Sequence, residues 1–128
     1  MIPKFRAWDK RENTMRDVAV LHFTKGGKVN SIEYWKTPSE LKSYHVRNLV
    51  LMQSTGLKDK NGVEIFEGDV LYYDPFKTHM NDSIVVFEKG SFCKKTIRNG
   101  KLTSVRFIDS EEYEVIRNVW EDRWNYGD

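Results

Sequence analysis

Residues 55–69 read Thr55-Gly56-Leu57-Lys58-Asp59-Lys60-Asn61-Gly62-Val63-Glu64-Ile65-Phe66-Glu67-Gly68-Asp69. Asp59 to Gly62 has the composition of a type I turn, with Asp at its first position and Gly at its fourth, where a left-handed residue opens a bulge. An Asp side chain at that first position accepts a hydrogen bond from the backbone two residues on. Leu57 before the turn and Ile65 and Phe66 after it anchor two β-prone arms, and Gly68 breaks the run before Val70-Leu71-Tyr72-Tyr73 begins another strand. Gly56, Asp59, Asn61, Gly62 and Gly68 therefore form a structural turn motif.

The same pattern extends in both directions. Lys4 to Asp9 alternates polar and apolar residues and ends in a polar turn, Lys10 to Thr14. Val18 to Phe23 and Val29 to Trp35 flank Gly26-Gly27 as the arms of a hairpin. Leu49 to Met52 is a short buried strand. Further strands are expected at Ile84–Phe87, Phe92–Arg98, Leu102–Ile108 and Tyr113–Val119, with Asn99-Gly100 closing a hairpin. Thr37-Pro38-Ser39-Glu40 departs from this pattern. A Thr cap, Pro at the first position and Glu three residues after the cap predict one short helix from about Pro38 to Arg47, near residues 38–47.

Composition narrows the class. A chain of 128 residues fits a single domain, 1–128, with an N-terminal β/helix part of about 1–55 and a C-terminal β part of about 56–128. The lone Cys93 excludes an internal disulfide, and no apolar run reaches membrane-span length, so a cytoplasmic protein with no membrane partner is expected. A net charge of +2 does not by itself imply a polyanion partner. The expected fold is mainly β, a short-stranded coiled sheet.

Three phrases together resemble the YopX family of phage and prophage proteins of low-GC Gram-positive bacteria. They are IPKFRAWDK with Met15 after it, the central QSTGLKDKNGVEIFEGDV, and the closing YEVIRNVWED. From Val18 to Arg47 and from Pro75 to Ile108 no family phrase stands out. The resemblance implies a β-dominated fold with a small SH3-like barrel in its C-terminal part, a phage origin and self-association. It carries over no catalytic residue.

Candidate chemistry is sparse. His22, His45 and His79 are scattered and lack the close spacing of a zinc site, so no metal and no cofactor is expected. Asp59, Glu64, Glu67 and Asp69 cluster around the central hairpin as a magnesium-dependent nuclease requires, yet each also suits a turn or a solvated strand end. Cys93 has basic neighbours, but adjacent strand residues point to opposite faces. There is no nucleophile elbow and no Gly-rich phosphate loop, so no catalytic residue is assigned.

Two binding readings remain. In the first, exposed aromatics make the chain a self-associating or protein-binding module, with Phe76, Trp124 and Tyr126 as interface residues and a homo-oligomer as the expected state. In the second, the basic hairpin 89–107 binds nucleic acid through Lys94, Arg98 and Lys101, which share a face with Phe92 and Phe107. Asp109, Glu111, Glu112 and Glu114 follow closely enough to offset that charge, so the first reading leads.

Overall fold

The computed structural model describes residues 4–72, 83–88, 90–98, 101–106 and 112–121, with side chains for all of these except 96–98 and 101–106. Every long element is a strand: β1 Phe5–Asp9, β2 Thr14–Phe23, β3 Val29–Thr37, β4 Glu40–His45, β5 Leu49–Lys58, β6 Glu64–Phe66, β7 Asp69–Tyr72, β8 Ser83–Glu88, β9 Ser91–Arg98, β10 Lys101–Arg106 and β11 Glu114–Asn118. The chain divides into two compact units, Ile2–Gln53 and Ser54–Asp128.

The N-terminal unit is an antiparallel sheet in the order β4-β3-β2-β1-β5, with the first half of β5 pairing β1. Its core gathers Ala7, Ile32, Tyr34 and Leu49, with Val18, Leu21, Val29, Tyr44 and Leu51 packed around them. The hairpin expected from Val18 to Trp35 is present, and the register Leu21↔Ile32 turns apolar residues of both strands inward. Fully burying Ile32 alone contributes about 1.5–3 kcal/mol.

The helix expected near residues 38–47 does not form. Glu40–His45 is the edge strand β4, paired with β3 from Ser31↔His45 to Trp35↔Leu41. The residues read as a helix cap close a hairpin instead, and Ser39 N–H donates to Thr37 Oγ1 at 3.4 Å. Pro after Thr suits a turn as well as a first helical position. A helix this short is marginal on its own, whereas pairing with β3 satisfies the backbone of the whole segment. Only Val46–Asn48 turns helically, as a single 3-10 turn.

In the C-terminal unit the second half of β5 pairs β6, and a five-stranded antiparallel sheet runs β10-β9-β8-β7-β11. Ile65, Leu71, Val85 and Tyr113 form its core, with Phe92 and Val115 against them. The mainly-β class is as expected. Barrel closure is not among the described pairings, since β10 and β11 are the two outer strands. The register Arg98↔Lys101 leaves two residues between β9 and β10, as a two-residue turn there demands.

Candidate functional site

The central turn forms as its sequence predicts and also does more. Gly62 N–H donates to Asp59 C=O at 3.0 Å, and Gly62 sits at φ 79°. Gly56 and Gly68 are also left-handed, at φ 78° and 83°. Asp59 Oδ1 accepts from Asn61 N–H at 2.8 Å and Val63 N–H at 2.9 Å. Its Oδ2 accepts from Val115 N–H at 2.9 Å, and Lys60 N–H donates to Tyr113 C=O at 2.9 Å. A residue legible as a local turn former thus pins the distant strand β11. Burial pushes the Asp59 carboxyl up, but the three backbone donors and nearby Lys60 outweigh it and hold the group below its ordinary value.

The other two family phrases carry the same device. Asp9, fully buried, accepts from Arg11 N–H at 3.0 Å and Glu12 N–H at 3.3 Å through Oδ1, and from Arg16 at 3.2 Å through Oδ2. Asn118 Oδ1 accepts from Trp120 N–H at 3.0 Å and Glu121 N–H at 2.8 Å. Arg16 also lies 4.7 Å over the Tyr34 ring and bonds Glu12 at 2.5 Å. Burial lowers its pKa, yet the bonds to Asp9 and Glu12 and the electrostatic attraction of Asp9 outweigh that and hold it above the usual arginine value. Each phrase therefore centres on a buried Asp or Asn that fastens a turn.

The carboxylates of the central hairpin are similarly occupied. Asp69 accepts from Phe66 N–H at 2.8 Å, and Glu64 accepts from the Ser54 hydroxyl. Among the described residues no three His, Cys, Asp or Glu side chains converge as a metal site requires. Cys93 is half-buried, and its sulfur lies 3.8 Å from the Ser91 hydroxyl and 3.9 Å from the Ser91 carbonyl. His22 bonds Glu33 at 2.9 Å, and His79 lies outside the described residues.

On the basic hairpin, Lys94 faces inward with Phe92. Its ammonium bonds the Tyr113 hydroxyl and stands 4.5 Å from that ring's centre. Lys95, on the opposite face, pairs with Glu88. Arg98 and Lys101 are partners in the β9–β10 ladder, with their side chains outside the described set, as is the whole of Phe107. Phe76, Trp124 and Tyr126 also lie outside the described residues.

Two surface features of the N-terminal unit escaped the sequence reading as sites. The first is an apolar stripe on the face turned away from the core. Trp35 and Leu41 are direct partners across β3–β4, 47 % and 40 % exposed, and Val20, 38 % exposed, lies on the diagonal through Glu33. Scattered exposed apolar residues need no explanation, whereas neighbours on three adjacent strands form a patch. β4 is moreover an outer strand, with one edge unpaired among the described residues.

The second is a cleft of about 370 Å³ lined by Arg11, Lys42, Ser43, Tyr44, His45, Arg47 and Asn48. Its residues come from the β1–β2 turn, β4 and the 3-10 turn. Lys10 N–H donates to Asn48 C=O at 2.9 Å and ties the first of these to the last. The signal available beforehand was the basic character of Lys42, His45 and Arg47; their meeting with Arg11 depends on strand pairing.

Fold and surface together define an all-β, two-sheet protein whose polar loop residues mostly serve structure. The YopX family, described as "YopX protein", matches residues 4–123, and the chain belongs to that family. It is similar in structure to protein EF1440 from Enterococcus faecalis, with 30% sequence identity, 96% of each chain covered and a TM-score of 0.67. The yopX protein from Bacillus subtilis shares the fold at 19% identity, with 94% of each chain covered and a TM-score of 0.61. Comparison with curated proteins finds no match. Among the described residues no helix is long and apolar enough to cross a membrane.

Proposed function

We propose that this YopX-family chain is a phage accessory protein of the bacterial cytoplasm that acts by binding rather than catalysis, and that its N-terminal unit docks a second copy of itself. The observation that carries this reading is the exposed stripe Val20–Trp35–Leu41 beside the open edge of β4. An unpaired edge offers backbone donors and acceptors to another strand, and adjacent apolar side chains add burial to that pairing.

The register of such a pairing is constrained. Two antiparallel β4 strands related by a two-fold axis centred on Lys42 would set like charges against each other. Centring the axis on Ser43 avoids this and places Lys42 opposite a tyrosine and Leu41 opposite a histidine. The second register is the one we expect.

Light scattering across micromolar concentrations tests the reading. The wild type is expected to exceed monomer mass, and Trp35→Glu with Leu41→Glu to return it to monomer with an unchanged circular dichroism spectrum. A monomeric wild type throughout would overturn self-association. The basic hairpin 89–107 ranks second as a binding surface, because Lys94 already spends its ammonium on Tyr113.

A further inference from the structure

The cleft beside β4 collects positive charge without a countercharge. Arg11, Lys42 and Arg47 line it, and no carboxylate does. Among the described residues none of the three makes an ion pair. Of the acidic residues near them in sequence, Asp9 and Glu12 hold Arg16, Glu33 holds His22, Glu40 lies 4.0 Å from Lys36, and Asp17 does not line the cleft. Like charges gathered in one concavity repel unless an anion joins them.

The donors are also positioned. Arg47 donates to His45 Nδ1 through both its backbone N–H, at 3.1 Å, and its Nε–H, at 3.4 Å. Accepting these bonds assigns the lone pair to Nδ1 and leaves the ring proton on Nε2 as a donor. In the β1–β2 turn, the buried Asp9 carboxylate fixes the Arg11 backbone. The hydroxyl of Ser43 and the amide of Asn48 complete a set rich in hydrogen-bond donors. The volume of about 370 Å³ falls at the small end of ligand sites, and half-buried Tyr44 supplies an aromatic wall.

From these features we propose that the cleft binds a phosphate-bearing ligand of about nucleotide size, with Arg11, Lys42 and Arg47 on the phosphate oxygens and His45 Nε2 as a further donor. Guanidinium groups suit phosphate through paired N–H donors, and Lys adds a point charge. The phosphate has two sources with the same chemistry, a free nucleotide or the backbone of a nucleic acid. The cleft shares Lys42 to His45 with the β4 edge proposed for docking, so its binding is read at protein concentrations below those at which light scattering shows association.

Fluorescence anisotropy of the full chain at low salt, with a labelled nucleoside triphosphate and unlabelled pyrophosphate as competitor, tests it. A labelled single-stranded oligonucleotide is the second probe. Saturable nucleotide binding displaced by pyrophosphate is expected. Arg11→Glu and Arg47→Glu should each weaken it at least about tenfold, the loss of one charge-assisted contact. In the monomer Trp35→Glu should leave affinity unchanged, since Trp35 does not line the cleft, so failure of the docking reading and failure of this one are distinguishable. Tighter oligonucleotide binding lost in the same two variants also supports the site and assigns its phosphate to a nucleic acid. Absence of saturable binding to either probe, or equal binding by both Glu variants, overturns the proposal.

Discussion

The turn at Asp59 and the cleft at Arg11 both bring polar groups together from segments far apart in sequence, and they treat their charged side chains in opposite ways. At Asp59 every carboxylate oxygen accepts from a backbone N–H, and the residue is buried. At the cleft the charged side chains are exposed and unopposed among the described residues. The first arrangement is what a fold needs from polar groups it must bury. The second leaves its charges for something outside the chain. The difference also follows the family phrases: the three that carry the resemblance hold Asp9, Asp59 and Asn118, whereas Trp35, Leu41, Lys42, His45 and Arg47 all come from the stretch between the phrases.

Breaking the buried side of this comparison should have the largest effect. Asp59→Ala removes the acceptor of three backbone N–H groups and should destabilise the chain by about 3–4 kcal/mol in urea unfolding. Asp9→Ala leaves Arg16 only Glu12 as an ion-pair partner and frees the Arg11 and Glu12 N–H groups, and should cost about 2–3 kcal/mol. Gly62→Ala meets no steric neighbour but forces a side chain to φ 79°, for about 1 kcal/mol. Leu41→Ser on the exposed stripe should move stability by less than about 0.5 kcal/mol while weakening association.

Acid sharpens the same contrast. The folded-state pKa of Asp59 is below its ordinary value of 3.8, so the folded chain binds fewer protons there than the unfolded chain. Its stabilisation is therefore complete above the ordinary value and is lost as pH falls through the lower folded one. Chemical denaturation of wild type and Asp59→Ala should accordingly converge in stability as the pH falls through that window. A constant gap between them would contradict the role given to the carboxylate.

Much of this was legible in the sequence where the cause is local. The Asp59–Gly62 turn and the Gly26-Gly27 hairpin both follow from residues whose backbone preferences act within a few positions. The segment after Thr37 forms a strand and not the expected helix because its capping signature serves a hairpin turn equally well, and strand pairing with β3 decides between them. Nothing in the vicinity of Asp59 announces Val115, 56 residues away. The cleft was invisible for the same reason: Arg11 meets Arg47 only after β1, β2, β3 and β4 have paired in order. Trp8 is buried, while Trp35 is exposed, a division that only the strand pairing decides.

The central claim, that a second copy docks on the open edge of β4, is tested most directly by hydrogen exchange of the backbone amides of Leu41 to His45 at low and high protein concentration. Slower exchange in this segment at high concentration, with no change at Asp59 to Phe66, is the predicted result. Exchange at Leu41 to His45 that is independent of concentration would contradict the claim, and in a protein still found to be oligomeric it would move the interface elsewhere.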